Sequence, residues 1–366
     1  MELNKRHTGV DLLRVLALFF VAGVHFFWNN GFYSQIVDGP RMYIMVTLRS
    51  LFVVCVPLFM IITGMVMGDK KPTAGYFVGI IKVLVIYLLG SLCCGGYRMF
   101  VTQEMNLREM IYGILNSSTA PYGWYVHMYL GLFLLVPFLN LAYDGLETKK
   151  KKQILVGVLL ILTALPSVMN IWRLDGIAWW LNPTSNTICH QLVPQYWVEL
   201  YPLTYFILGR YLRENPIKLS KWLNLLLIFA VVVFNAAFNY YRSHGLVFQW
   251  GDWNTDGALG NVVLSGLIAN LFVQMECEKL PVGARKGIMA MSNWVLGAYL
   301  VSWIFDDVLY GWLNQRVTVM HYRLEWFPVI VLGVFVGSLV LSAVLYGIYL
   351  LTGGKLLQYL QKRLKE

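Results

Sequence analysis

The chain has 366 residues, of which 58% are hydrophobic and 13% charged. A soluble domain of this size carries about twice that charged share, so a soluble enzyme or scaffold is excluded. The net charge of +10 does not indicate nucleic acid, because the basic residues sit at the ends of apolar runs, and the five cysteines are scattered without C-x-x-C, H-E-x-x-H or a glycine-rich phosphate loop, so no metal centre is expected.

Apolar runs of about 20 residues, enough to span a bilayer, recur along the sequence. Ten spans can be drawn, at approximately 9–29, 42–68, 75–97, 121–143, 153–172, 195–212, 221–241, 258–276, 287–310 and 326–352. The fold class expected is an all-α integral membrane protein: one domain over 1–366, a bundle of about ten transmembrane helices. Residues 353–366 read as an amphipathic tail on the membrane surface.

The first span, GVDLLRVLALFFVAGVHFFW, holds Asp11, Arg14 and His25. Ionisable groups at membrane depth cost roughly 2.5–3.5 kcal/mol each on insertion scales and usually face protein or water. Arg14 and His25 are eleven residues apart; at about 100° per residue they share a helix face, separated by roughly 16 Å along the axis. Asp11 lies on that side one turn below Arg14, within pairing reach. One stripe therefore carries a paired cation at one depth and an imidazole at another, the pattern of a pathway rather than of single anchors.

Arg49, in the second span, is too deep for an anchor, so a carboxylate partner is expected. Lys82 lies in the third span. The fourth opens with Trp124, Tyr125 and His127, placed to hold a substrate at its outer end. Glu199 begins the sixth, Arg210 ends it, and Asp306 and Asp307 close the ninth. A working histidine needs an orienting acid; Glu199, Asp306 and Asp307 are at suitable depth, and the sequence does not single one out.

With the amino terminus inside, the cytoplasmic segments hold 18 of the 29 Lys and Arg, Lys5 and Lys365 among them, and the outer segments 7. The positive-inside rule then predicts both termini in the cytoplasm, with the chain in the cell membrane. The outer side is rich in rings: Trp179, Trp180, Trp197, Trp250, Trp253, Trp312 and Trp326, against Trp222 alone on the other side. This asymmetry suggests stacking surfaces for sugars.

These residues resemble a known family. Arg14-x10-His25 preceded by Asp11 resembles the first helix of the acyltransferase-3 family of membrane acyltransferases. CVPLFMIITGMVM (55–67) is similar to that family's second-helix motif, GWYVHMYLGLFLLVP (123–137) to its Trp-aromatic segment, and LTYFILGRYL (203–212) and SNWVLGAYLVSW (292–303) to later helices. Two positions depart. Gly79 and Lys82 stand where the family often has an Arg-x-x-Arg pair, and Ser302 stands where many members have histidine.

The resemblance implies transfer of an acyl group, usually acetyl, from cytoplasmic acyl-CoA to a hydroxyl of an extracytoplasmic glycan or lipid-linked sugar. Arg14 and Lys82, with Asp11 and Arg210, would hold the donor; Trp124, Tyr125, His127 and Arg49 would meet the acceptor. His25 would act as general base or as transient acyl carrier, the base being favoured. The competing reading is a polytopic transporter or flippase of a glycan or lipid-linked sugar, which would be expected to show repeat symmetry; no internal repeat is evident.

Overall fold

The computed structural model describes residues 6–174, 176–183 and 189–364; Lys5 and Lys365 of the charge count lie outside the described residues. Among them no strand forms, and extended backbone meets only at two isolated bridges, Ile36 with Val247 and Val37 with His244. Backbone polar groups in lipid must be satisfied within the segment, which leaves the helix as the unit for these apolar runs.

The principal helices are α1 (Thr8–Asn29), α2 (Gly39–Phe52), α3 (Cys55–Met67), α4 (Ile81–Phe100), α5 (Trp124–Asp144), α6 (Lys149–Thr163), α7 (Tyr201–Glu214), α8 (Lys221–Ser243), α9 (Leu259–Val273), α10 (Val282–Arg316), α11 (Phe327–Leu351) and α12 (Gly353–Arg363). Among the described residues, eight helical segments are long and apolar enough to cross a membrane, α2 and α3 forming one of them. The expected spans at 153–172 and 195–212 take a shorter form. The first ends as α6 at Thr163, ahead of a separate turn that Pro166 opens. The second becomes a 3-10 turn at Val198–Leu200 followed by α7, with Pro202 in its first turn. Proline lacks the amide that would continue a helix through it.

The outward faces of the helices are apolar, as in a lipid-immersed protein. On α11, Val329, Leu332, Val336, Val340 and Val344 are exposed at helical spacing, while Val331, Val334, Ser338 and Leu345 on the other side are buried. The tail forms α12, as its amphipathic pattern predicts.

α1 lies at the centre, packed against α2, α3, α9, α10 and α11. α3 and α7 touch backbone to backbone: a Cβ on Gly64 would overlap the Phe206 carbonyl oxygen, and one on Gly209 would overlap that of Ile61. Small residues at such crossings allow the close approach that drives helix association in lipid. Asn270 ties α9 to the loop between α7 and α8, accepting from the Ile217 amide at 2.8 Å and donating to its carbonyl at 3.0 Å.

Candidate active site

At its amino-terminal end α1 carries the first polar cluster. The His7 side chain caps the helix by accepting from the Val10 amide. Asp11 Oδ1 accepts from Arg6 Nη2 at 2.8 Å and from Ser292 Oγ at 2.7 Å. Ser292 Oγ in turn accepts from Arg14 Nη1 at 2.9 Å, while Arg14 Nη1 lies 3.6 Å from Asp11. The expected Asp11–Arg14 pair is thus bridged by a hydroxyl from α10, and Arg6 takes the nearer bond.

Arg6, Arg14 and Lys82 line a cavity of about 340 Å³ whose other walls include Thr63, Tyr125, Tyr129 and Ser292. Three cations and no carboxylate of the described residues line this chamber, which leaves it positive and suited to an anionic ligand. A wider cavity of about 830 Å³ continues from it, sharing Arg6 and Arg14 and adding Lys70, Lys71, Arg210 and Arg213. Arg210 is buried and largely engaged: it pairs with Asp144, approaches Glu214 at 3.6 Å and donates to Asn140 Oδ1 at 2.9 Å.

Three turns higher on α1 stands His25. Its Nδ1 lies 2.9 Å from Asp306 Oδ2 on α10, and the Tyr122 hydroxyl donates to that same oxygen at 2.7 Å. Asp306 is buried, and a carboxylate held there fixes the tautomer with hydrogen on Nδ1 and the lone pair on Nε2. His25 lines a cavity of about 640 Å³ together with Arg49, Trp124, Trp250, Asp256 and Tyr299, among others.

Tyr299 belongs to both chambers. Its ring centroid is 5.6 Å from that of Tyr125 on the Arg14 side and 6.3 Å from that of Tyr122 on the His25 side. A single phenol thus stands between the cationic chamber and the histidine.

Of the three carboxylates considered, Asp306 is the one brought to His25. Asp307, one residue on, accepts instead from the Tyr97 hydroxyl at 2.8 Å. Glu199 is exposed in its 3-10 turn and lines none of these cavities; the helix that follows it, α7, lies against α3, α6 and α9 rather than α10.

The opening turn of α5 divides three ways. Trp124 reaches the His25 cavity, whereas Tyr125, one step round the helix, is buried in the Arg14 cavity. His127 is exposed, with its Nε2 2.5 Å from Ser117 Oγ, and lines neither chamber. A position at a helix end does not specify azimuth, and azimuth separates the three. Arg49 meets rings where a carboxylate was expected: its Nε donates to the Tyr33 hydroxyl at 2.9 Å and its guanidinium carbon lies 4.3 Å from the Phe248 ring centroid.

Sequence reasoning missed Tyr122, Ser292 and Arg6. Tyr122 directly precedes the Gly-Trp-Tyr segment, a proximity that could have drawn attention to it; a serine and a pre-helical arginine carry no comparable signal.

Among the described residues no group of three or more His, Cys, Asp or Glu is arranged to hold a metal ion. No curated protein and no solved structure matches the chain. The family model described as an acyltransferase domain matches residues 7–347, which takes in both polar clusters apart from Arg6, the intervening tyrosine and all eight candidate spans except the last few residues of the final one. The chain is a membrane protein of the acyltransferase-3 family.

Proposed function

We propose that this acyltransferase moves an acyl group, acetyl in the simplest case, from an acyl-CoA entering at the Arg14 end to a hydroxyl of a glycan or lipid-linked sugar entering at the His25 end. In this reading both termini are cytoplasmic and the His25 cavity opens to the outside of the cell membrane. The observation that carries it is the His25–Asp306 pair at 2.9 Å on the wall of a cavity that shares Tyr299 with the cationic chamber.

The donor's phosphates and the residues present are chemically matched. Arg6, Arg14 and Lys82 line the inner chamber, with Lys70 and Lys71 at its wider approach. Arginine forks and lysine ammoniums are the usual partners of phosphate oxygens. The pantetheine arm is long and thin enough to pass between helices, so its thioester would reach Tyr299 and the histidine beyond.

His25 Nε2 then takes the proton of the acceptor hydroxyl as its oxygen attacks the thioester carbonyl. Asp306 holds the imidazole and stabilises the imidazolium. When the tetrahedral adduct collapses, the C–S bond breaks and the imidazolium returns its proton to the departing thiolate, leaving ester and free CoA. The Tyr122 hydroxyl bond keeps the carboxylate oriented throughout.

The test is transfer of labelled acetyl from acetyl-CoA to a surface-glycan fraction by purified protein. His25→Ala should abolish transfer while the variant keeps its melting temperature and monodispersity. Transfer at the native rate would remove His25 from the reaction.

A further inference from the structure

Arg49 lies in α2 on the wall of the His25 cavity and is only 1% exposed. Three sides of its guanidinium are occupied. Nε donates to the Tyr33 hydroxyl at 2.9 Å, and the carbon lies 4.3 Å from the Phe248 ring centroid and 4.7 Å from that of Trp250. The edge formed by its two terminal nitrogens is different: Nη1 is enclosed and meets no acceptor, and no carboxylate pairs with the group. An arginine keeps its charge under essentially all conditions. A cation withdrawn from water with unmet donors is costly unless something completes it.

Asp256 lines the same cavity without forming an ion pair with Arg49. Its own backbone carbonyl accepts from the Tyr205 hydroxyl at 2.5 Å, which anchors this stretch of loop. At the rim, Trp28 and Trp250 stack with centroids 5.7 Å apart and planes inclined at 27°, and Trp28 is exposed. One cavity thus offers a rigid fork of unused donors, a carboxylate able to accept from hydroxyls, and an aromatic face.

We infer that Arg49 and Asp256 form a recognition subsite for a sugar bearing an oxyanion, a carboxylate or a phosphate, so that the acceptor is anionic. The planar fork matches the two oxygens of such a group, Asp256 takes neighbouring hydroxyls, and the indoles cover the ring. The inference rests on the His25 cavity being the acceptor side.

Binding to the purified full-length protein, followed by calorimetry with no acyl donor present, tests it independently of transfer. Two arms separate the sources of the anion: methyl glucuronide against methyl glucoside for the carboxylate, and glucose 1-phosphate against glucose for the phosphate. In at least one arm the anionic member should bind about tenfold tighter or more. That preference should vanish in Arg49→Gln and weaken in Arg49→Lys, which retains charge without the fork. Equal or undetectable binding of both members in both arms of the native protein overturns the inference, and needs no variant to fold. So does a preference that survives Arg49→Gln. Should His25→Ala leave transfer intact while the Arg49-dependent preference holds, the assignment of chemistry to His25 fails and the subsite stands; the reverse pattern retires the subsite alone.

Discussion

The rings of His25 and Tyr122 lie nearly against each other, centroids 4.0 Å apart and planes inclined at 37°, and both side chains end on Asp306 Oδ2. One carboxylate oxygen therefore receives two hydrogen bonds, while Asp306 Oδ1 is enclosed with no partner. Orientation of the imidazole depends on that one oxygen.

Asp306→Asn should keep the packing but lose the carboxylate that fixes the tautomer, lowering kcat by roughly 10²–10⁴-fold. Tyr122→Phe removes one of the two bonds and keeps the ring, so a fall of about tenfold or less is expected. Steady-state transfer rates at saturating acetyl-CoA measure both. A larger loss for Tyr122→Phe than for Asp306→Asn would reverse the order of importance argued from the geometry.

Arg14→Ala should act on the donor rather than on the chemistry. Arg14 is tied to Asp11 through Ser292 and lines both inner cavities. Losing one charge-assisted phosphate contact costs about 1.5–3 kcal/mol, so KM for acetyl-CoA should rise by about ten- to a hundredfold with a smaller change in kcat. Ser292→Ala should show the same direction to a lesser degree. Kinetics across acetyl-CoA concentrations would expose a pure kcat defect, which would place Arg14 outside donor binding.

Tyr299 stands between the two chambers. Tyr299→Ala should open a passage for water toward the thioester, so hydrolysis of acetyl-CoA without acceptor should rise while coupled transfer falls. Thiol release with and without a glycan fraction reads both. Unchanged background hydrolysis would mean that the phenol does not seal the inner chamber.

The contact of α3 with α7 yields a prediction about stability. A side chain on Gly64 meets the Phe206 carbonyl and cannot be relieved by a rotamer change. Gly64→Val should destabilise the bundle by roughly 1–3 kcal/mol or more, seen as a lower melting temperature in detergent. Gly75→Ala is the control, since nothing lies within 4 Å of a Cβ there.

The membrane class, the helical architecture and the relation of Arg14 to His25 were legible because each follows from periodicity along one segment. Helix geometry relates two residues of α1 wherever that helix is placed, and apolar length alone decides that a segment belongs in lipid. The pairing of Asp11 with Arg14 was legible for the same reason, although the Ser292 bridge from α10 was not.

Relations between helices were decided elsewhere. Asp306 rather than Glu199 faces His25 because α10 packs along α1, and α7 lies against α3, α6 and α9. Tyr125 went to the inner chamber and His127 to neither because rotation of α5 is set by its neighbours. Arg49 found rings instead of a carboxylate because the loop carrying Phe248 and Trp250 folds over it. Composition and hydropathy measure what a helix tolerates around it; which face meets which neighbour depends on packing among all the helices at once, and only the tertiary structure contains that.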